Sequence, residues 1–205
     1  MPSPSFLECP RPPGLIIGGT GSHAGKTALT LALLCALRRR GMVLAAAKVG
    51  PDYIDTAFHA AMTGQPVANL DTWMCREAAP LSRQQGSRLQ GLGLRRVFQR
   101  MQDHGRRVKA DLLVVEGAMG LFDGGHDGAG STAQLSAQFG LPVLLTLNAS
   151  GMGQSAAAVA EGFLRYCPSW TTRSWQFLGM GCTHVGSDQH ARILRQALTP
   201  VAKNL

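Results

Sequence analysis

The 205 residues carry a formal net charge of +8 and are 45% hydrophobic, which suits one well-buried domain. No apolar run is long enough to cross a bilayer, and the first residues lack the charged and apolar regions of a secretory signal. The five scattered cysteines contain no C-x-x-C pair, which indicates neither a disulfide framework nor a zinc site and favours a reducing cytoplasm.

The first predicted elements are a loose proline-rich tail over residues 1–13 and a short buried strand at 15–17. A glycine-rich stretch follows the strand, and periodic leucines then predict a helix over 26–40. Strand, glycine loop, Lys-Thr and helix together predict a phosphate-binding P-loop. The loop residues are Gly19, Thr20, Gly21, Ser22, His23, Ala24, Gly25, Lys26 and Thr27.

The chemistry of this loop follows from its residue types. Glycines let the backbone approach a triphosphate, and the helix N-terminus adds partial positive charge. Lys26 is expected to reach the β- and γ-phosphates, and the Thr27 hydroxyl to bind Mg²⁺. Thr20 occupies the place of the usual first glycine, with Gly19 and Gly21 on either side.

The second predicted strand, residues 43–47, leads into a run of polar residues. Lys48 is expected at the same sheet edge as the P-loop, where it would hold a transferring phosphoryl group and its acceptor carboxylate together. Asp52 and Asp55 are candidates either for Mg²⁺ binding or for capping the next helix, predicted at 56–63, and the helix cap is the main alternative for Asp55.

A helix predicted over 77–103 precedes the third strand, residues 112–115, which ends at Glu116. An acidic residue at this place in P-loop proteins holds Mg²⁺ or its water, so Glu116 is a metal candidate. The glycine-rich 117–124 loop permits close approach to a ligand. Asp123 and Asp127 are either metal-linked or turn-forming.

The remaining predicted elements are helices over 131–139, 152–166 and 188–198 and strands at 143–147 and 177–180. Ser131 is either the N-cap of its helix or part of an anion site. This alternation predicts an α/β fold of the P-loop NTPase type, with a mostly parallel sheet and helices on both faces. Ligands bind such sheets beyond the carboxyl ends of the strands.

Basic residues cluster at 38–40, 95–100 and 106–109, and Phe98 is the single aromatic residue within these clusters, too few for a stacking groove. Nucleic acid and membrane partners are therefore not expected. Two interpretations stay open: solvated helix ends, or an electropositive mouth for a polyanionic substrate.

Four motifs together resemble the cobyrinate (or hydrogenobyrinate) a,c-diamide synthases. They are the P-loop, K-V-G-P-D-Y-I-D at 48–55, N-L-D-x-W-M at 69–74 and V-E-G-x-M-G-L-F-D-G at 115–124. The resemblance covers roughly residues 14–198. It implies a dethiobiotin-synthetase-like P-loop domain that uses ATP and Mg²⁺ to phosphorylate the a and c carboxylates of a corrinoid, after which ammonia displaces phosphate.

Carried over by motif, the resemblance implies roles for individual residues. Lys26, Lys48 and Asp52 would be catalytic, and Thr27, Asp52 and Glu116 would bind the metal. Thr183 falls where the family has an asparagine near the adenine, so weaker or less selective base binding is expected. The implied substrate-binding residues are Tyr53, Asp55, Gly117, Met119, Gly120, Leu121 and Ser131.

The family usually continues into a glutaminase domain, which residues 14–205 lack. A glutaminase partner in trans, free ammonium, or a truncated chain would each account for this. A homodimer is a further expectation. The family also has V-D-A where this chain has Leu147-Asn148-Ala149.

Three rival functions stay open. They are a dethiobiotin-synthetase-like ligase, a non-catalytic nucleotide-binding remnant, and a positioning ATPase of the septum-site type. The last is disfavoured because Gly21 occupies the place of its signature lysine.

Overall fold

A computed structural model describes residues 12–71, 83–125, 128–169 and 175–203, with the backbone alone for 83–94. Strands and helices alternate along the chain. The strands are β1 (Gly14–Gly19), β2 (Leu44–Val49), β3 (Ala68–Leu70), β4 (Leu112–Glu116), β5 (Val143–Asn148) and β6 (Phe177–Thr183). The helices are α1 (Lys26–Arg39), α2 (Tyr53–Thr63), α3 (Arg83–Arg107), α4 (Thr132–Phe139), α5 (Ser155–Arg165) and α6 (Asp188–Ala202).

The strands form one six-stranded sheet in the order β3-β2-β4-β1-β5-β6. Every described pair of neighbouring strands is parallel. The register places Glu116 opposite both Ile17 and Lys48. The carboxyl ends of β1, β2 and β4 therefore meet at one edge, where a parallel sheet binds its ligands.

Alternate residues of the central strands supply two apolar layers, one on each face of the sheet. Leu15 and Ile17 pack with Leu34 of α1 on one face. Ile16 belongs to the layer that contains Phe98 of α3 and Leu135 of α4 on the other. Helices thus cover both faces, and the predicted α/β fold class is confirmed.

Several boundaries differ from the prediction. Strands β4, β5 and β6 extend to polar residues at their carboxyl ends, namely Glu116, Asn148 and Thr183, and β3, a short edge strand, was not predicted. Helix α2 begins at Tyr53 rather than at residue 56 because Asp52 caps it. The start predicted for α3, residues 77–82, lies outside the described residues.

Part of the predicted tail packs on the domain. Pro12 is buried, and the Pro13 carbonyl accepts a hydrogen bond of 2.8 Å from Leu113 N. Residues 1–11 lie outside the described part of the chain. No helix among the described residues is long and apolar enough to span a membrane.

Candidate functional site

The glycine-rich loop joins β1 to α1 at the centre of the sheet. A Cβ at Gly19 would lie 3.0 Å from Lys26 Nζ and 3.1 Å from the Gly21 carbonyl oxygen, so a side chain there would crowd the loop. Gly25 precedes α1 with φ 83, a left-handed conformation that favours glycine. Position 20 does not need a glycine, because the Thr20 N–H donates to Thr146 O at 2.9 Å and so continues the strand pairing with β5.

The loop lysine lies folded into this cradle. Lys26 Nζ donates to the carbonyl oxygens of Gly21 at 3.0 Å and Met119 at 2.5 Å. Burial, reinforced by the positive charge of Lys48, lowers the pKa of Lys26. The first turn of α1 and the segment after β4 are therefore in direct contact.

Lys48 approaches the same segment from the end of β2. It is 5% exposed, and its Nζ donates to the carbonyls of Val49 at 2.9 Å and Gly117 at 3.3 Å. Its ammonium also lies 4.0 Å from Asp55 Oδ2. The structure thus brings the two lysines together at residues 117–119.

An oxygen cluster lies beside the lysines. Thr27 Oγ1 is 2.7 Å from Glu116 Oε1 and 3.2 Å from Asp55 Oδ2. Burial and the neighbouring carboxylates of Glu116 and Asp52 raise the pKa of Asp55. Burial also acts to raise the pKa of Glu116, but its contacts with His59 and Thr27 outweigh burial and lower that pKa. Hydroxyl and carboxylate oxygens are ligands suited to Mg²⁺.

His59, which was not predicted to belong to the site, contacts this oxygen cluster. Its ring is fully buried, and Nε2 lies 2.8 Å from Glu116 Oε2. The two atoms are close but not aligned for a standard hydrogen bond, and neither has an aligned partner among the described residues. The available signal was the four-residue spacing from Asp55, which places both side chains on one face of α2.

The structure distinguishes the roles considered for Asp52 and Asp55. Asp52 caps α2, with Oδ1 accepting from Ile54 N and Asp55 N at 3.0 Å each. The N–H of Asp55 is the main cause that lowers the pKa of Asp52. Asp55 is therefore not the N-cap: it lies in the first turn and faces Thr27 and Lys48.

The loop after β4 contains both exposed and buried members of the predicted substrate set. Met119 is half exposed, with φ 48. Gly120 N donates to Asp123 Oδ2 at 2.9 Å, which closes a tight turn. Asp127 lies outside the described residues.

Two predicted substrate residues are buried instead. Leu121 is 0% exposed, in the core, and its N–H donates to Gly19 O at 2.7 Å. Ser131 is also 0% exposed and caps α4 by accepting from Gln134 N at 3.2 Å. Both side chains are buried in this structure, and their contact with a substrate stays a prediction.

Thr183 lies against the P-loop from the end of β6. Its Oγ1 donates to Ala24 O at 2.7 Å, and a Cβ at Gly25 would lie 2.7 Å from its methyl carbon. The hydroxyl predicted to face the nucleobase is therefore engaged with the loop backbone.

Exposed apolar side chains lie at the start of α2 and in the segment after β4. Tyr53, Ile54 and Phe58 are 64%, 71% and 52% exposed at the start of α2, and Met119 is 49% exposed. Large apolar side chains this exposed are candidates for contact with a ligand or partner. Ile54 and Phe58 were not predicted to belong to the site.

The loop between β1 and α1, its buried lysine and the acidic end of β4 define a P-loop nucleotide-binding domain. The family model described as an AAA domain matches residues 13–160. The chain belongs to this family.

The chain is also similar to longer enzymes. It is 41% identical over 191 residues to the hydrogenobyrinate a,c-diamide synthase of Rhodobacter capsulatus, covering 90% of this chain and 38% of that protein. It is 39% identical over 194 residues to the cobyrinate a,c-diamide synthase of Syntrophotalea carbinolica, covering 94% of this chain and 36% of that protein. The predicted resemblance is confirmed, and the chain spans little more than a third of the length of these relatives.

Proposed function

We propose that this domain uses ATP and Mg²⁺ to convert the a and c carboxylates of cobyrinic or hydrogenobyrinic acid into amides through acyl phosphates, a step of cobalamin biosynthesis. The names of the relatives support the substrate class, and the P-loop family supports the nucleotide. The observation that carries the proposal is the convergence of Lys26 and Lys48 on residues 117–119.

The oxygen cluster fits Mg²⁺. Glu116 Oε2 is buried without an aligned hydrogen bond among the described residues, and Thr27 and Asp55 supply further oxygens. In the part of the chain that the structure describes, no group of three or more His, Cys, Asp or Glu is placed to hold a metal. Nucleotide phosphates would therefore complete the coordination, as is usual for Mg²⁺. The bound ion would offset phosphate negative charge.

Asp52 is a weaker candidate for the metal than Asp55. One of its oxygens is committed to the cap of α2, whereas Asp55 lies against Thr27. We therefore propose Thr27, Asp55 and Glu116 as the metal-binding residues and retain Asp52 as the residue that fixes the start of α2.

The two lysines fit successive needs of acyl phosphate chemistry. A carboxylate is a poor acyl donor, and transfer of the γ-phosphoryl group gives it a leaving group. Lys26, from the P-loop, would bind the transferring phosphoryl oxygens, and Lys48 would hold the acceptor carboxylate beside them. Ammonia then attacks the carbonyl carbon, and phosphate leaves as the amide forms.

The exposed apolar side chains of α2 and of the segment after β4 suit a corrinoid acid. The exposed side chains of Tyr53, Ile54, Phe58 and Met119 would contact the apolar macrocycle. The net charge of +8 favours a substrate with several carboxylates. We propose that ammonia comes from free ammonium or from a glutaminase partner, and that a homodimer is one assembly to be tested.

The test is incubation of the purified chain with cobyrinic or hydrogenobyrinic acid, Mg-ATP and ammonium chloride, followed by mass spectrometry. One or two conversions of acid to amide are expected. The K26A variant should be inactive. The K203A variant, at an exposed position directly after the carboxyl end of α6, should have unchanged activity. A folded chain that amidates neither acid would contradict the proposal. Turnover of diaminopelargonic acid instead would favour the dethiobiotin-synthetase-like alternative.

A further inference from the structure

The buried imidazole of His59 takes no part in the proposed phosphoryl transfer and amidation. The ring is 0% exposed, and Nδ1 has no hydrogen-bond partner among the described residues. A buried polar atom without a partner costs about 1–3 kcal/mol. An apolar side chain would fill the same space without that cost, so the contacts of the other ring nitrogen deserve an explanation.

That nitrogen faces Glu116. Nε2 of His59 lies 2.8 Å from Glu116 Oε2, while Glu116 Oε1 accepts from Thr27 Oγ1 at 2.7 Å. Each carboxylate oxygen thus has its own neighbour, one from α2 and one from α1. The two contacts fix the plane of the carboxylate at the end of β4.

Helix α2 contributes twice to this arrangement. Asp55 approaches Thr27 Oγ1 at 3.2 Å, and His59, one turn later, contacts Glu116. Because both residues lie on one face of a capped helix, the position of α2 sets the positions of Asp55 and Glu116 together.

We infer that His59 is a positioning residue that holds the Glu116 carboxylate in the orientation needed to bind Mg²⁺ with the nucleotide. The inference rests on the proposed function, because it presumes a divalent cation at Thr27, Asp55 and Glu116. His59 acts through Glu116 and touches neither nucleotide nor substrate. Outer partners of this kind typically change metal affinity by about 10–100-fold when they are replaced.

Three substitutions separate positioning from packing. His59→Gln places an amide nitrogen where Nε2 lies, His59→Asn places one where the unpartnered Nδ1 lies, and His59→Phe keeps the ring volume alone. His59→Gln is expected to retain the metal site, whereas the other two are expected to weaken it. His104→Gln is the control, because His104 pairs with Gln65, two residues beyond the end of α2, and not with Glu116.

The measurement is the dissociation constant of Mn²⁺, a probe for Mg²⁺, from each ADP-saturated protein, followed by electron paramagnetic resonance. His59→Asn and His59→Phe should raise it by about tenfold or more, and His59→Gln and His104→Gln should leave it within about twofold of the unsubstituted protein. ADP affinity in EDTA should be the same in all five proteins.

Equal Mn²⁺ affinity in all variants would overturn the inference. So would equal weakening in all three His59 variants together with a lower urea midpoint, which is the result of a packing role. Absence of Mn²⁺ binding by the unsubstituted ADP complex would instead reject the proposed metal site itself, and with it this inference.

A second measurement needs no substitution. In the ¹⁵N spectrum of the unsubstituted protein with ADP, the His59 Nε2 resonance should shift when Mg²⁺ is added, while that of His104 should not. Unchanged His59 resonances on addition of saturating Mg²⁺ would overturn the inference even if every His59 variant failed to fold.

Discussion

Lys26 and Lys48 donate to carbonyls of one segment but come from different elements. Lys26 is part of the phosphate loop, whereas Lys48 ends β2 and lies 4.0 Å from Asp55. Replacement of Lys26 is therefore expected to remove nucleotide binding. Replacement of Lys48 is expected to impair the later transfer of the phosphoryl group to the acceptor carboxylate.

For K48A we expect Mg-ATP affinity close to that of the unsubstituted protein and amidation lowered by about 10²–10³-fold or more, because a preorganised cation at the transferring group is lost. Calorimetric titration of nucleotide and mass analysis of the product measure the two properties. K203A serves as the surface control. Amidation at the normal rate in K48A would contradict the role given to Lys48.

Asp52 is expected to contribute to stability through its cap. D52A should lower the free energy of unfolding by about 1 kcal/mol at neutral pH, while D52N should retain most of it because asparagine also caps helices. The fold lowers the pKa of Asp52 below its ordinary value of 3.8. The charge contribution is thus present above that value and is lost as the pH falls through the lower folded value.

Urea unfolding of the three proteins across pH tests this prediction. The gap between D52A and the unsubstituted protein should be constant near neutral pH and narrow below 3.8. A gap that widens on acidification would show that the carboxylate is not stabilised in the fold.

The junction of β4, β1 and α4 requires a glycine at position 117. A Cβ there would lie 2.4 Å from Thr132 Oγ1 and 2.8 Å from Ile17 O. Ile17 O cannot withdraw easily, because it accepts the hydrogen bond from Gly117 N at 2.9 Å.

G117A is therefore expected to lower the free energy of unfolding by about 1–3 kcal/mol, measured by urea denaturation. Gly162 is the matched control, since a Cβ in its place in α5 meets nothing within 4 Å. G162A should instead stabilise by up to about 1 kcal/mol. Equal effects of the two substitutions would contradict the packing described at the end of β4.

The sequence predicts the elements that have strong hydrophobic periods and the polar residues that end them. Lys48 and Glu116 follow apolar runs, so their place at the carboxyl edge can be deduced from parallel topology alone. β3 was missed because three residues give too short a pattern, and its middle residue is Asn69. The Asn69 side-chain amide donates hydrogen bonds to the carbonyls of Gly50 and Asp52, and these bonds appear only in three dimensions.

The interior of the site was harder to predict. Which of two aspartates caps α2 depends on where the helix begins, and that boundary is uncertain by a turn from sequence. The burial of Leu121 and Ser131, and the contact of His59 with Glu116, depend on packing between distant segments. A motif shared with a family cannot separate residues that contact a ligand from residues that support them.

At the scale of the whole molecule, the prediction concerns the source of nitrogen. Tested alone, residues 14–205 are expected to use ammonium but not glutamine, because the resemblance noted from the motifs implies that a glutaminase domain outside these residues releases the ammonia. Parallel assays with the two nitrogen sources measure this difference. Glutamine-dependent amidation without any added partner would contradict the expectation.

The central claim is that the γ-phosphoryl group of ATP passes to a carboxylate of the corrinoid acid between Lys26 and Lys48. It is tested most directly with cobyrinic acid labelled with ¹⁸O in its carboxylates, Mg-ATP and ammonium. Each amide formed should release one inorganic phosphate that carries an ¹⁸O atom from the carboxylate. Amide formation with unlabelled phosphate would contradict the account.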